Sequence, residues 1–204
     1  MDTGQRAPGR PRGFDAEAAL ERALTVFWRQ GYEGATLTDL TEAMGITRTS
    51  MYAAFGNKEE LFRKAVDRYS EGPGAYVARA LAEPTARAVA AGLLHGAARA
   101  TTRPGCPAGC LGVQGALATG DPGRRARDVL TAWRNDAGTR VADRFRRAVA
   151  EGDLPPGTDP DRLSRYVTTL AYGISVQAAS GVGRDDLLQV ADTALHHWPP
   201  VTVG

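Results

Sequence analysis

Between residues 31 and 60, helix-stopping glycines alternate with helix-capping side chains: Gly31, Thr36, Gly45, Thr47, Gly56 and Asn57. A Thr or Asn at the start of a helix accepts a hydrogen bond from a backbone N–H two or three residues on. Thr36 with Asp39, and Asn57 with Glu60, have the reciprocal spacing of a capping box. A glycine just past the last turn supplies the left-handed conformation that ends a helix. This punctuation predicts two very short helices, through LTDLTEAM and over about 48–55, with two or three residues between them. A helix opened by Asp15 precedes them through AEAALERALTVFWRQ, with Leu20, Ala23, Leu24 and Phe27 on one buried face. A fourth, through LFRKAVDRYS, follows.

Two short helices joined by a tight glycine turn make a helix-turn-helix, whose second helix enters the DNA major groove. On that helix Met51 and Phe55 lie about 40° apart and mark the core side. Thr49 and Ala53 point away from it, Tyr52 is intermediate, and Arg48 reaches outward from the first turn on a long stem. Arg48 suits guanine O6 and N7, and Thr49 suits a base edge through its methyl or hydroxyl. Thr36, Thr47, Ser50, Tyr52 and Lys58 suit phosphate oxygens near helix N-termini. Arg10 and Arg12, in a Gly- and Pro-rich arm, suit an adjacent minor groove. Hydroxyls at helix starts are also caps in any helical domain, so Thr36 and Ser50, like Asn57, read equally as purely structural.

The run GYEGATLTDLTEAMGITRTSMYAAFGNKEELFRKAV resembles the DNA-binding domain of TetR/AcrR-family bacterial transcriptional regulators. The resemblance covers about residues 14–66 and rests on many positions at fixed spacing. It implies Arg48 and Thr49 at base edges, and Thr36, Thr47, Tyr52 and Lys58 on phosphates. Position 49 in such proteins is often glycine, and Thr49 departs from that, so the base preference of relatives does not transfer.

After Gly72-Pro73-Gly74 longer Ala-rich helices are expected, over about 75–82, 84–102, 107–119, 122–151, 159–180 and 184–197. No strand-like alternation of useful length and no internal repeat interrupts them. The expected fold is all-α with about nine helices. It comprises a flexible basic arm (1–13), a helix-turn-helix domain (14–70) and a larger helical domain for effector binding and dimerisation (71–204). One short reading helix makes few base contacts, so a two-fold dimer is expected. Leu163, Tyr166, Val167, Leu170 and Ile174 form an apolar stripe on one late helix, and Leu187, Leu188, Ala191, Ala194 and Leu195 on the last. The resemblance implies that these helices pair with their mates as a four-helix bundle; a stripe buried within the monomer is the alternative. Leu111, Gln114, Leu117, Trp133, Thr169, Tyr172 and Gln177 combine apolar bulk with sparse polar atoms and are candidate effector contacts.

The net charge is +2, and positions 1–64 hold nine basic and nine acidic residues, so a DNA surface must come from local placement of charge. The first dozen residues contain no apolar signal core, and no apolar run is long enough for a bilayer, so a soluble cytoplasmic protein is expected, without membrane partners. Cys106 and Cys110 lie about a turn apart if Pro107 starts a helix. They lack two further ligands for a metal, so inert packing is favoured over a thiol switch. No cofactor is expected. A small helical enzyme using Cys110 with His95 is the remaining alternative, but no P-loop, G-x-S-x-G or H-E-x-x-H motif supports it. The sequence thus reads as a DNA-binding regulator, a homodimeric repressor released from its operator by a small-molecule effector. A redox-sensing regulator using Cys106 and Cys110 is the second reading.

Overall fold

A computed structural model describes residues 14–117 and 123–200, with backbone alone for 115–117. The basic arm, with Arg10 and Arg12, and the side chain of Leu117 lie outside the described residues. Among the described residues ten α-helices follow one another, one for each segment expected: α1 (Ala16–Gly34), α2 (Leu37–Met44), α3 (Arg48–Phe55), α4 (Lys58–Glu71), α5 (Tyr76–Leu81), α6 (Ala86–Thr101), α7 (Leu111–Leu117), α8 (Arg124–Ala150), α9 (Pro160–Ala179) and α10 (Arg184–His196).

The local signals set the N-terminal helix ends. Asp15 Oδ1 accepts from the backbone N–H of Glu17 and Ala18. Thr36 with Asp39 and Asn57 with Glu60 both form complete capping boxes. Gly45 closes α2 at φ 68°, and Gly56 follows α3 at φ 77°. Gly31, at φ 71° and ψ 175°, breaks α1 so that its last residues turn away from the main axis.

Two hydrophobic clusters build the body. The first gathers Leu24, Phe27, Leu40, Met51, Leu61 and Phe62 from α1–α4, and continues into Leu111 of α7 and Leu130 of α8. Phe62 meets the rings of Phe27 and Tyr32 edge-on, at centroid separations of 5.0 and 5.2 Å. The second gathers Val89 and Leu94 of α6, Phe145 of α8, Val167 and Ile174 of α9, and Leu187 of α10. Each fully buried Leu, Ile or Phe contributes about 1.5–3 kcal/mol. Residue 70 lies at the end of α4 but does not end the first core, because α7 and the start of α8 complete it.

The helix expected from Pro107 begins instead at Leu111. Gly105 and Gly109 both adopt positive φ, 80° and 84°, and the Gly109 N–H returns to the carbonyl of Thr101. Residues 102–110 are thus a loop folded back on the end of α6, and the two cysteines do not share a helical face. Cys110 is buried and Cys106 half-buried, both as free thiols.

Candidate nucleic-acid interface

Helices α1 and α4 form a platform on which α2 and α3 rest. Met51 and Phe55 point into the first core, fully buried or nearly so, and fix the rotation of α3. Its opposite face therefore presents Arg48, Thr49, Tyr52 and Ala53 to solvent. Tyr52 is the one large apolar side chain of α3 left outside, at 49% exposure. Thr47 caps α3 by accepting from the Ser50 N–H, while its own hydroxyl donates to Ser50 Oγ at 3.0 Å. The α3 terminus still has N–H groups free to meet an anion.

Besides Thr36, Thr47 and Ser50, which are engaged at helix caps, two more of the sequence-predicted contacts are already engaged within the chain. Arg48 Nη2 donates to Thr38 Oγ1 at 2.9 Å, so the guanidinium lies across the turn onto α2. Thr38, exposed in the first turn of α2, was missed by sequence reasoning; its signal was its place two residues after the cap. Lys58 is half-buried, with its ammonium 4.4 Å from the Tyr32 ring centroid. Burial lowers its pKa, and Glu33 and Asp39 pull the other way. The N–H of Thr36, and then its hydroxyl, hold the Asp39 carboxyl below the usual range.

Helix α4 has one end at this surface and the other deep in the body. At the far end the Tyr69 hydroxyl donates to Cys110 Sγ at 3.2 Å, and Trp133 Nε1 donates to Ser70 Oγ at 2.7 Å. Beside these contacts lies an interior chamber of about 30 Å³ lined by Tyr76, Leu93, Cys110, Trp133, Val141 and Tyr172 among others. Burial pushes the thiol of Cys110 and the phenols of Tyr69, Tyr76 and Tyr172 above their ordinary values.

Of the expected effector contacts, Trp133 and Tyr172 line this chamber. Leu111 belongs to the first core, and Gln114 borders the end of α1 with Phe27 and Tyr32. Thr169 and Gln177 are exposed on α9, roughly 100° or more around the helix from the chamber side, and this corrects their placement. Sequence reasoning missed Tyr76, Cys110 and Val141 as lining. The imagined Cys110–His95 pair is absent, because His95 Nε2 is bonded to Asp192 Oδ1 at 2.8 Å across α6 and α10. Among the described residues no group of three or more His, Cys, Asp or Glu comes together to hold a metal. No described helix is long and apolar enough to cross a membrane.

The residues of the expected dimer stripes divide between the inner and outer sides of α9 and α10. Leu163, Ile174, Leu187, Ala191 and Leu195 are buried in the second core, while Leu170 and Leu188 are only partly covered. A helix packed on two sides buries its most apolar stripe in its own protomer. The outward stripes are Tyr166, Leu170, Gly173 and Val176 on α9 and Asp186, Val190 and Thr193 on α10. Apart from Tyr52, the exposed large hydrophobics among the described residues are Tyr166 and Val176 on α9 and Val190 on α10.

Paired short helices presenting hydroxyls, an arginine and a tyrosine from one end of an all-α body define a helix-turn-helix DNA-binding protein. Residues 19–65 match the family described as bacterial regulatory proteins, tetR family, and residues 84–195 match the tetracyclin repressor-like C-terminal domain. The HTH-type transcriptional repressor ComR of Escherichia coli is 32% identical over 198 residues, 96% of this chain and 94% of ComR. The repressor BdcR of the same organism is 29% identical over 93% of this chain and 91% of its own. A cysteine-substituted mutant of the TetR-family regulator CifR, solved with a 26-base-pair operator, is 44% identical with a TM-score of 0.88. That likeness covers 93% of this chain and all of CifR. The chain belongs to the tetR family of bacterial regulatory proteins and is a DNA-binding regulator of transcription.

Proposed function

We propose that the protein is a homodimeric repressor that a small-molecule effector releases from its operator. The observation that carries this reading is the course of α4. It starts at Asn57 and Lys58 beside the reading helix and ends at Tyr69 and Ser70, which are bonded to Cys110 and Trp133 at the chamber. A shift of the chamber wall would move the far end of α4 and so re-aim α3. An effector acts only through its unequal affinity for the two arrangements. The exposed side chains of Tyr166, Val176 and Val190 support dimerisation, and the repressors ComR and BdcR support the sign of regulation. In this reading Arg48 and Thr49 meet base edges in the major groove. Thr36, Thr47, Ser50, Tyr52 and Lys58 meet phosphates, and Arg10 and Arg12 of the arm enter the adjacent minor groove.

Fluorescence anisotropy against duplex DNA from immediately upstream of the gene, across a salt series, tests it. Competitor-resistant binding with a steep fall of log K against log salt is expected. Binding that scrambled DNA matches, followed by an empty selection from random duplexes, would overturn it.

A further inference from the structure

A second, more polar space adjoins the chamber. It is a cleft of about 510 Å³ between α8 and α9, within the range of small-molecule sites. Thr168 and Tyr172, about one turn apart on α9, line both spaces and so form the partition between them. The inner chamber, at about 30 Å³, holds no more than a water-sized body, so an effector cannot enter it without moving a wall.

The cleft carries uncompensated positive charge. Arg134, Arg146 and Arg165 face Asp143 and Asp161, and both aspartates pair with Arg146. Among the described residues Arg134 donates only to the Gly112 carbonyl and the Thr131 hydroxyl. Among the described residues the guanidinium of Arg165, the amide of Asn135 and the hydroxyl of Tyr172 have no hydrogen-bond partner. Three guanidiniums against two carboxylates leave a surplus of one charge. The floor is also open: Gly138 lies mid-helix in α8, where glycine weakens the helix, yet a Cβ there would meet nothing within 4 Å. Packing does not require that glycine, and its missing side chain widens the cleft.

We infer that this cleft receives the effector and that the effector is a monoanionic carboxylate with a compact apolar body. Arg165, assisted by Arg134, holds the carboxylate in the paired geometry that guanidinium offers. The apolar body displaces Tyr172 and enters between Trp133, Tyr76 and Val141. The inference rests on the ligand-responsive reading above and adds the effector class and its route of entry.

The test titrates full-length dimer with 2-naphthoate and octanoate and with their neutral amides. Tryptophan fluorescence follows binding, and operator anisotropy is read in parallel. At least one acid should bind about ten-fold more tightly than its amide. Arg165→Gln should bring that acid to the amide's level, and Gly138→Leu should block both, with circular dichroism confirming that each variant folds. Equal binding of acid and amide, an unchanged acid affinity in Arg165→Gln, or no binding of either acid at millimolar concentration would overturn the inference. A neutral or cationic compound that frees the operator while the acids do not bind would sink this inference and leave ligand release standing. Acids that bind as described while the operator stays bound would do the reverse.

Discussion

Trp133 Nε1 donates to Ser70 Oγ at 2.7 Å, and this one bond ties the chamber wall on α8 to the inner end of α4. Ser70 also donates to the Val66 carbonyl, so its hydroxyl passes the connection into the α4 backbone. Trp133→Phe keeps an aromatic body against Tyr69 but removes the donor. A loss of about 1 kcal/mol in denaturant unfolding is expected. Operator affinity should shift with it, and an unshifted affinity would show that this bond does not position α4.

Replacing both Arg48 and Tyr52 by alanine should abolish specific operator binding. The base-edge contact of Arg48 contributes about 1–3 kcal/mol, the phosphate contact of Tyr52 adds to it, and a dimer makes each contact twice. Because both side chains are exposed, the melting temperature and dimer mass should stay as they are. Retained affinity in a gel-shift titration would remove α3 from the role of reading helix.

The two sides of α9 and α10 are expected to separate assembly from folding. Val176→Glu combined with Val190→Glu should give folded monomer by light scattering, since both positions are exposed in the protomer. Leu187→Ala, at a fully covered site, should instead destabilise each protomer by about 2–5 kcal/mol. A dimer that survives the double glutamate variant would place the interface elsewhere.

Alkali should weaken the fold. Burial raises the thiol of Cys110 above its ordinary value of 9.0, and the phenols of Tyr69 and Tyr76 above 10.0. Their neutral forms favour the folded state fully below those ordinary values. Above them the unfolded chain ionises first, so stability falls as pH rises from about 9. Thermal melts at pH 8 and above 10 should show the decline, and Cys110→Ala should make it shallower. At pH 8 the native thiol of Cys110 should react slowly with an alkylating reagent, and readily once the chain is unfolded.

The helix-turn-helix was legible because its signals are local. Thr36, Gly45, Thr47, Gly56 and Asn57 each act on backbone within three or four residues, and α2 and α3 begin and end, and α4 begins, where those residues put them. The chamber and the outer face were less legible. Apolar spacing on α9 shows that Leu163, Val167 and Ile174 share a face, but not whether α6 or a second protomer covers it. Tyr76 lines the chamber because α5 lies closely on α6, where Gly96 leaves room for its ring. That approach depends on two helices and shows in neither alone. The start of α7 was misread because Pro107 suits a first helical turn, whereas Gly109 bonds back to Thr101 and delays it.

Helix α8 gives Leu130 to the first core and Phe145 to the second. Losing either core strips support from the same 27-residue helix and so weakens the other. The helix-turn-helix and the C-terminal helices are therefore expected to unfold in one cooperative transition. A fragment ending with α4 would leave Leu24, Phe62 and Tyr69 without the side chains of Leu111 and Leu130 that close over their cluster. The helix-turn-helix is not expected to fold as an independent module, because Leu111 of α7 and Leu130 of α8 complete its core.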